Sequence, residues 1–386
     1  MRPAALGRAI RHISDGSCAV DRCELRLRAL ARAIARISHG SHRSWAVPSP
    51  GRRGLPVMVF HVMPDSRDFA AHTEPFRREL LAHCYRMLGS LHDAEDVVQE
   101  TYLRAWRAYG GFEGRSSVRT WLHRIATNAC LTALERRGRR VLPSGLTGPA
   151  ADPSAPPVPA GPELDWLQPI PDSLITADPE DPAAVVVARE GLRLALVASL
   201  QLLPARQRAV LLLRDVLAFP AADVAAVLEM SVPAVKSALQ RARARMEEAA
   251  PSDDSVVEPD EPQARALLDR YIAAFENADA AAFEEVLRED AALEVTGSRT
   301  WFSGLATCLP YLTSPPVLGS PGDWRMVPTR ANGQPAAVAY RRGASGLHEP
   351  FGVAVLTVTT GGIGRIVVFA DPALVTAFPQ PAGGQK

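Results

Sequence analysis

The chain has 386 residues, of which 47% are hydrophobic and 22% are charged. This length suits two or three domains, and the composition is that of a folded protein rather than a disordered one. The sequence holds no run of about 18 apolar residues, so it predicts no membrane span. Its five cysteines form no CxxC pair and no metal-ligand spacing. This favours a cytoplasmic protein without a metal, a cofactor or a disulfide framework.

The formal net charge of +1 hides an uneven distribution. Residues 1–57 carry eleven arginines and three acids, residues 231–246 are basic, and residues 252–261 are acidic. Nucleic-acid binding requires a local basic face rather than a basic average. Residues 1–67 are predicted to be a basic, disordered N-terminal extension, and the alternative is a basic arm that touches DNA.

Residues 68–140 are predicted to form a helical domain, with amphipathic helices over residues 76–88 and 94–109. The second helix begins with an acidic edge: Asp93, Glu95, Asp96, Gln99 and Glu100. Acids near a helix N-terminus are favoured by the helix dipole, so a merely solvated edge is one interpretation. A third helix, around residues 119–128, alternates apolar with basic side chains.

Two linkers divide the rest of the chain. Residues 141–182 contain eleven prolines, which disfavour helix and predict extended backbone. Within this linker, the sequence Asp-Trp-Leu-Gln-Pro-Ile-Pro-Asp at residues 165–172 is too apolar for a pure spacer. Residues 251–262 form a second linker that is short, acidic and interrupted by prolines.

Residues 183–250 are predicted to be helical and to end in a helix-turn-helix. Its first helix covers residues 222–228, and Ser231 is the N-cap of the second, with Pro233 in its first turn. A buried stripe runs along the second helix through Val235, Leu239, Ala242 and Met246. The opposite side offers cations, amides and hydroxyls, which suit phosphates and base edges in a major groove. A solvated basic face is the alternative.

Residues 263–380 change character, because two helices precede runs of alternating hydrophobicity. This pattern predicts an α+β domain with a curved antiparallel sheet. Candidate pocket residues are scattered along it: Asp290, Glu294, Trp324, His348 and Asp371. No local pair has motif-like spacing, so the sequence assigns no catalytic residue and predicts that the chain is not an enzyme.

The stretches Asp93–Trp106 and Arg119–Asn128 resemble conserved region 2 of extracytoplasmic-function (ECF) sigma factors, the promoter-reading subunits of bacterial RNA polymerase. Residues 203–210 and 232–243 resemble region 4 of the same sigma-70 family, although the usual turn glycine is missing from Leu228–Ser231. Residues 263–380 look like a SnoaL-like domain of the NTF2 type. The order of the parts resembles the sigma-G-like ECF group, which carries this domain as a fused C-terminal extension.

The resemblance implies a multidomain fold: two all-α sigma domains, the second with a helix-turn-helix, and a C-terminal α+β cone. It implies binding to core RNA polymerase, through its β′ clamp and β subunits, and to promoter DNA. The acidic edge defined above becomes the polymerase-binding surface. The implied −10 contacts are Phe112, Arg115, Ser116, Arg119, Arg124, Asn128, Arg136 and Arg137. The implied −35 contacts are Ser231, Pro233, Lys236, Ser237, Gln240, Arg241 and Arg243.

Two further readings are left open by the sequence. The helix-turn-helix and the cone would also suit a one-component regulator that senses a small molecule in a C-terminal pocket. A cone-fold enzyme with appended DNA-binding helices is a third possibility, although no residue set requires it. The sigma-factor interpretation explains residues 93–128 as well, because a regulator has no use for a strand-opening domain. In that interpretation the C-terminal domain regulates activity in cis.

Overall fold

The computed structural model describes residues 66–175, 192–248, 256–258 and 261–379. The predictions for residues 1–65, and for the end of the first linker, lie outside these ranges. Among the described residues, every helix is too short or too polar to span a lipid bilayer.

The first helical domain contains α1 (Ser66–Thr73), a 3-10 turn (Glu74–Phe76), α2 (Arg77–Leu88), α3 (Leu91–Ala108) and α4 (Val118–Arg136). Ser90 and Ser117 cap α3 and α4, because each side chain accepts a hydrogen bond from the backbone N–H three residues later. Leu80 and Leu122 are fully buried between the helices. The domain therefore presents α3 and α4 on a common apolar core.

The second helical domain contains α5 (Leu194–Gln201), α6 (Ala205–Leu211) with a π turn (Leu212–Val216), α7 (Ala221–Leu228) and α8 (Val232–Glu248). Helices α7 and α8 are the helix-turn-helix. Glu229 adopts the left-handed conformation, with φ of 54°, at the turn that lacks a glycine. A non-glycine residue accepts this conformation at a cost of roughly 1–2 kcal/mol. The turn therefore forms without the glycine.

A buried arginine joins the two helical domains. Arg208 of α6 donates hydrogen bonds to the backbone oxygen of Met87 and to Oε1 of Gln201, the latter at 2.6 Å. Gln201 in turn donates from Nε2 to the backbone oxygen of Arg86 at 3.3 Å. Burial lowers the pKa of Arg208 to about 10. The guanidinium is thus held between the carboxyl ends of α2 and α5, where the helix dipoles favour a cation.

The C-terminal domain begins with α9 (Pro262–Glu276), α10 (Ala280–Val286), β1 (Leu287–Val295), β2 (Trp301–Ser303), α11 (Leu305–Leu312) and α12 (Pro315–Leu318). It continues with β3 (Trp324–Ala331), β4 (Gln334–Arg342), β5 (His348–Thr359), β6 (Gly362–Phe369) and α13 (Pro372–Val375). The strands form one sheet in the order β2-β1-β6-β5-β4-β3. The pair β1–β6 is parallel, so the predicted antiparallel sheet is in fact mixed. Parallel neighbours need a long crossover, which residues between β1 and β6 supply.

Aromatic side chains pack on the side of this sheet that faces α9. Phe275 of α9 lies 4.9 Å from the ring of Phe283 and 5.6 Å from that of Trp324, both with edge-on geometry. Tyr271 is 1% exposed and packs against the same two phenylalanines. Such aromatic pairs stabilise a core beyond their buried area. The described interior of the cone is therefore a packed core.

The first linker is not a free spacer. Its early part runs beside β1 and β2: the backbone N–H of Ser144 donates to Oε2 of Glu294 at 2.8 Å, and that of Ala150 donates to the oxygen of Trp301 at 2.8 Å. The N–H of Arg299 likewise donates to the oxygen of Val158 at 2.8 Å. Residues 141–175, here called the proline-rich strap, are thus bound to the C-terminal domain. Because the prolines keep this segment out of a helix, its backbone N–H and C=O groups need hydrogen-bond partners elsewhere.

The later part of the strap contacts the first helical domain. The backbone N–H of Gln168 donates to the oxygen of Gly89 at 3.0 Å, and the Tyr85 hydroxyl donates to the oxygen of Gln168 at 2.7 Å. Gly89 has φ of +69°, and a Cβ there would lie 2.8 Å from Leu167. Only glycine suits this combination of left-handed backbone and close approach. The strap therefore packs against the turn between α2 and α3.

The three domains share one apolar core. Val338, Val353 and Val367, on the side of the sheet opposite α9, are at most 1% exposed. They belong to the same buried cluster as Leu80 of the first helical domain and Val197 of the second. Burial of this kind stabilises by about 25 cal/mol for each Å² of apolar surface. The described domains are consequently packed as one body.

The described part of the acidic linker lies against the sheet. The backbone N–H of Val257 donates to the oxygen of Val358 at 2.9 Å. Glu258 forms an ion pair with Arg193 at 2.6 Å, close to the start of α5. The described residues of this linker therefore join the C-terminal sheet to the second helical domain.

Two histidines are fully enclosed between α2 and α4. The rings of His83 and His123 lie 5.4 Å apart, and His83 Nε2 shares a hydrogen bond with the Thr127 hydroxyl at 3.0 Å. Burial, with the charge of Arg86 as a smaller cause, holds the pKa of His83 well below 6.5. Burial also lowers the pKa of His123, although nearby Glu79 opposes this. The His83 ring is therefore neutral in the folded chain at neutral pH.

These histidines predict acid sensitivity. The unfolded chain takes up protons near pH 6.5 and the folded chain resists them, so His83 contributes stability above that pH and loses it as the pH falls. The free energy of unfolding should drop by up to about 1.4 kcal/mol per pH unit for each such histidine. His83→Gln should give a shallower slope in denaturant titrations between about pH 7 and 5. Exposed His72→Gln is the control, and equal slopes for wild type and His83→Gln would contradict the prediction.

Candidate nucleic-acid interface

The recognition helix α8 buries one side and exposes the other. Val235, Ala238 and Ala242 are at most 3% exposed, whereas Met246 is half-buried at the end of the stripe. Ser231 caps the helix through its hydroxyl, which accepts from the backbone N–H of Ala234 at 3.3 Å. All seven predicted −35 residues are exposed. They therefore form one continuous polar surface on and beside α8.

One member of this surface is already paired. Arg243 makes a bidentate ion pair with Asp215, with distances of 2.8 Å from Nε and 2.6 Å from Nη2. The hydrogen bond to Asp215, more than its charge, raises the pKa of Arg243. A guanidinium held in this way is fixed in direction and partly neutralised. Lys236 and Arg241 are thus better placed to bind phosphates or bases.

The acidic edge of α3 divides into two parts. Asp96, Gln99 and Glu100 are exposed, and Glu95 is half-buried. Asp93 is 12% exposed at its side chain and pairs with Arg137 and, at 2.6 Å, with Arg140. Burial alone would raise its pKa, but the hydrogen bonds from these two arginines outweigh that effect and keep the pKa of Asp93 below its usual range.

This pairing affects two predicted roles. Asp93 was expected on the polymerase-binding edge and Arg137 among the −10 contacts, yet each serves as the partner of the other. Arg140 also donates to the backbone oxygen of Trp166 in the strap at 2.7 Å. The three side chains therefore tie the start of α3 to the chain that follows α4. Asp96 and Glu100 are the exposed acids of the edge, and Glu100 pairs with Arg104 of the next helical turn at 2.6 Å.

A hollow of about 310 Å³ opens between α3 and α4. Its lining is mostly apolar with cations at the rim: Arg104, Ala108, Trp121, Arg124, Ile125 and Asn128. Phe112 of the predicted base-binding loop packs on Trp121, with ring centroids 4.8 Å apart. An apolar hollow with an aromatic wall can accept an unstacked base, while the arginines contact phosphates.

Sequence reasoning found part of this hollow. Arg124 and Asn128 were predicted on α4. Trp121 is one of the apolar residues of that helix, and it is half-buried and forms a wall. Arg104 and Ala108 were missed because they lie on α3, outside the motif that indicated DNA. Their spacing of four residues, one helical turn, was the available signal.

The other predicted −10 residues are distributed around the hollow. Arg115, Ser116 and Arg136 are exposed, and Arg115 pairs with Glu113 at 2.7 Å. Arg119 instead points into the contact between the helical domains: its Nε donates to Oε1 of Glu79 on α2 at 2.7 Å, and its Nη2 donates to the backbone oxygen of Leu217 in the second helical domain at 3.2 Å. Arg119 is therefore held away from any strand that occupies the hollow.

The candidate pocket residues of the cone each have a structural partner. Asp290 pairs with Arg288, and His348 bonds the backbone oxygen of Gly322. Glu294 is fully buried on β1, where it pairs with Arg365 at 2.8 Å. Trp324 belongs to the aromatic core, and the Asp371 carboxylate caps α13. A ligand of the C-terminal domain stays a prediction from the sequence.

The geometry described above agrees with comparisons to known proteins. The chain matches Sigma-70 region 2 over residues 73–140 and Sigma-70, region 4, over residues 193–246. It is 52% identical over 315 residues to the ECF RNA polymerase sigma factor SigG of Mycobacterium tuberculosis (strain ATCC 25618 / H37Rv), covering 81% of this chain and 84% of that protein. It is 32% identical over 195 residues to the ECF RNA polymerase sigma factor SigM of the same strain, covering 50% and 83%.

The crystal structure of the ECF sigma factor SigJ of Mycobacterium tuberculosis is similar in fold, with a TM-score of 0.51 and 24% identity. The likeness covers 80% of this chain and 99% of that one. The predicted fold class is confirmed: two all-α sigma domains, the second with a helix-turn-helix, precede a C-terminal α+β cone of the NTF2/SnoaL-like type. Given the identity to SigG across most of both proteins, the chain belongs to the extracytoplasmic-function sigma factors of the sigma-70 family.

Proposed function

We propose that this sigma factor docks on core polymerase through α3, holds the opened −10 element with α3 and α4, and reads the −35 element with α8. We further propose that its C-terminal domain controls these steps in cis. As an ECF sigma factor it is an alternative sigma factor that starts transcription, and this identity implies a regulator rather than an enzyme. The observation that supports the residue assignment is the hollow, which lies on the two helices that carry the acidic edge and the basic residues.

The hollow suits the displaced strand of the −10 element. A base taken out of the stack loses a few kcal/mol of stacking free energy, which contact with an aromatic wall and an apolar surface offsets. Trp121 supplies the ring, and Arg124, which lines the hollow, is suited to contact a backbone phosphate of that strand. Arg104 also lines the hollow but pairs with Glu100 at 2.6 Å. Asn128 offers an amide to the base edge. A one-component regulator would not need such a site.

The compact arrangement supports regulation in cis. The two promoter elements lie about 25 base pairs apart, which is about 85 Å along B-form DNA. In the described structure α4 packs directly against α6 and α7, so the two helical domains are adjacent. Adjacent domains do not span that separation. Initiation therefore requires the helical domains to move apart, and whatever holds them together limits activity.

The turn between β3 and β4 is the element that we propose holds them. Asn332 Nδ2 donates to the Tyr85 hydroxyl at 2.7 Å and to the backbone oxygen of Leu192 at 2.8 Å. Its Oδ1 accepts from the N–H of Ile170 at 3.0 Å. Gln334 Oε1 accepts from the N–H of Leu194, also at 3.0 Å. One turn of the C-terminal domain thus bonds the first helical domain, the strap and the start of the second helical domain.

Run-off transcription with purified core polymerase on a promoter library tests the overall function. Arg241→Glu places a carboxylate against phosphate or base acceptors and should weaken the −35 contact by roughly 1–3 kcal/mol. The loss should be largest on promoters that depend on the −35 element. Arg245→Glu, on the same helix and also exposed, is the matched control. Normal transcription from every promoter would remove Arg241 from the DNA-facing set.

Asp96→Lys tests the polymerase-binding edge. Reversal of an exposed charge should lower the affinity for core polymerase about tenfold or more, since like charges across an interface are repulsive, and should leave the fold intact. The affinity is measured by titration of labelled protein with core polymerase, and the fold by circular dichroism. Glu135→Lys, an exposed reversal on α4, is the control. Equal affinity of Asp96→Lys and wild type would show that the edge is merely solvated.

Asn332→Gly tests control in cis. Asn332 has φ of 57°, so glycine preserves the turn while removing the amide that bonds Tyr85, Ile170 and Leu192. Loss of these buried hydrogen bonds should weaken the compact state by about 1–3 kcal/mol and raise transcription at limiting core polymerase. Ala278→Gly, at another position of positive φ, is the control. Unchanged transcription with unchanged core affinity would contradict regulation through this turn.

A further inference from the structure

A loop of the second helical domain contacts α4, the helix of the first helical domain that carries implied −10 contacts. Leu217, Ala218 and Phe219, the 217–219 loop, connect the π turn to α7. The backbone oxygen of Leu217 accepts from Nη2 of Arg119 at 3.2 Å. The Phe219 ring lies 4.7 Å below the guanidinium carbon of Arg119 and packs edge-on against His123 at 5.3 Å. One loop therefore contacts two successive turns of α4.

The loop is a rigid part of its domain. The backbone N–H groups of Leu217 and Phe219 donate to the oxygens of Leu212 and Leu213, each at 2.9 Å. Arg214 donates from Nη1 to the oxygen of Phe219. Ala218 adopts the left-handed conformation with φ of 57°, which costs a non-glycine residue free energy unless its surroundings impose it. Phe219 is 3% exposed. The loop thus presents its ring and its carbonyl in a fixed direction.

Arg119 is enclosed by this contact. Its Nε donates to Glu79 on one side, while its Nη2 and its guanidinium face meet the 217–219 loop on the other. Its side chain is 28% exposed. Arg124, on the same helix and at the rim of the hollow, is exposed by contrast. Of these two α4 cations, both among the implied −10 contacts, the free chain therefore presents Arg124 and withholds Arg119.

We infer that the 217–219 loop is an autoinhibitory contact, which withholds Arg119 from single-stranded DNA until the second helical domain moves away. This inference rests on the proposed function, because it takes Arg119 as a residue that holds the −10 strand. Separation of the helical domains breaks the carbonyl bond and the cation–ring contact, and Arg119 can then turn towards the strand. The movement that lets the two domains span a promoter thus also completes the strand-binding surface.

The test uses full-length protein and a fluorescein-labelled pool of random single-stranded DNA, since phosphate contacts do not need a defined sequence. Phe219→Leu keeps an apolar side chain and removes the ring that contacts Arg119 and His123. It should raise the affinity for single-stranded DNA several-fold and increase the radius of gyration measured by X-ray scattering. Leu202→Ala, an exposed change in the same domain, is the control. Phe219→Ala removes more of the contact and should have a larger effect. If the Phe219→Ala protein does not fold, the result for Phe219→Leu decides the test.

Arg119→Ala separates the proposed role of Arg119 at the −10 element from the autoinhibitory contact of the 217–219 loop. In the Phe219→Leu background it should abolish the gain in affinity, and in the polymerase-bound protein it should reduce open-complex formation. If Arg119→Ala leaves open complexes unchanged, the proposed role of Arg119 at the −10 element fails. If Arg119 matters there, but folded Phe219→Leu protein keeps wild-type affinity and a wild-type radius of gyration, the autoinhibitory contact is overturned.

Discussion

The arrangement of the three domains depends on one buried amide. The side chain of Asn332 uses both its nitrogen and its oxygen to bond Tyr85, Ile170 and Leu192, which belong to different parts of the chain. Asn332 is itself 0% exposed. A buried polar group without a partner costs more than a hydrogen bond contributes when it is made, so the partners of Asn332 are favoured only when all are in place. The turn thus sets the position of the strap and of both helical domains together.

This dependence gives the C-terminal domain a mechanical role. One side of its sheet packs against aromatic side chains of its own helices, whereas the other side shares an apolar core with the helical domains. The proline-rich strap follows β1 and β2 and then crosses to Gly89, so it binds two domains along its length. A ligand or a partner alters such a system only by binding the compact and separated arrangements with different affinity. Core polymerase is the partner that the proposed function requires to do so.

Local features of the sequence were enough to predict the recognition helix. The cap at Ser231, the proline after it and the apolar stripe act within a few residues, and the structure has all three. The sequence also indicated the mixed helix and strand character of residues 263–380. It did not indicate the parallel pairing of β1 with β6, because strand order depends on contacts far apart in the chain.

The partners of the candidate site residues were hidden for the same reason. Arg119 meets Leu217 at a separation of 98 residues, and Asp93 meets Arg140 at 47. The number of prolines predicts an extended backbone for the strap, but it does not predict which surfaces the strap contacts. The close approach of Leu167 to Gly89 is an example. Residue types near a motif could therefore be assigned to DNA or polymerase from the sequence. Whether each side chain is free or already paired required the tertiary structure.

The most direct test of the account is the distance between the two helical domains in solution. Fluorophores placed on exposed Thr132 and Glu247 would report it by energy transfer in the free protein and in its complex with core polymerase. The account predicts one compact population for the free protein and a much longer distance in the complex, as a span of about 85 Å between promoter elements requires. A free protein that already shows the long distance would contradict the claim that its own domains hold it closed.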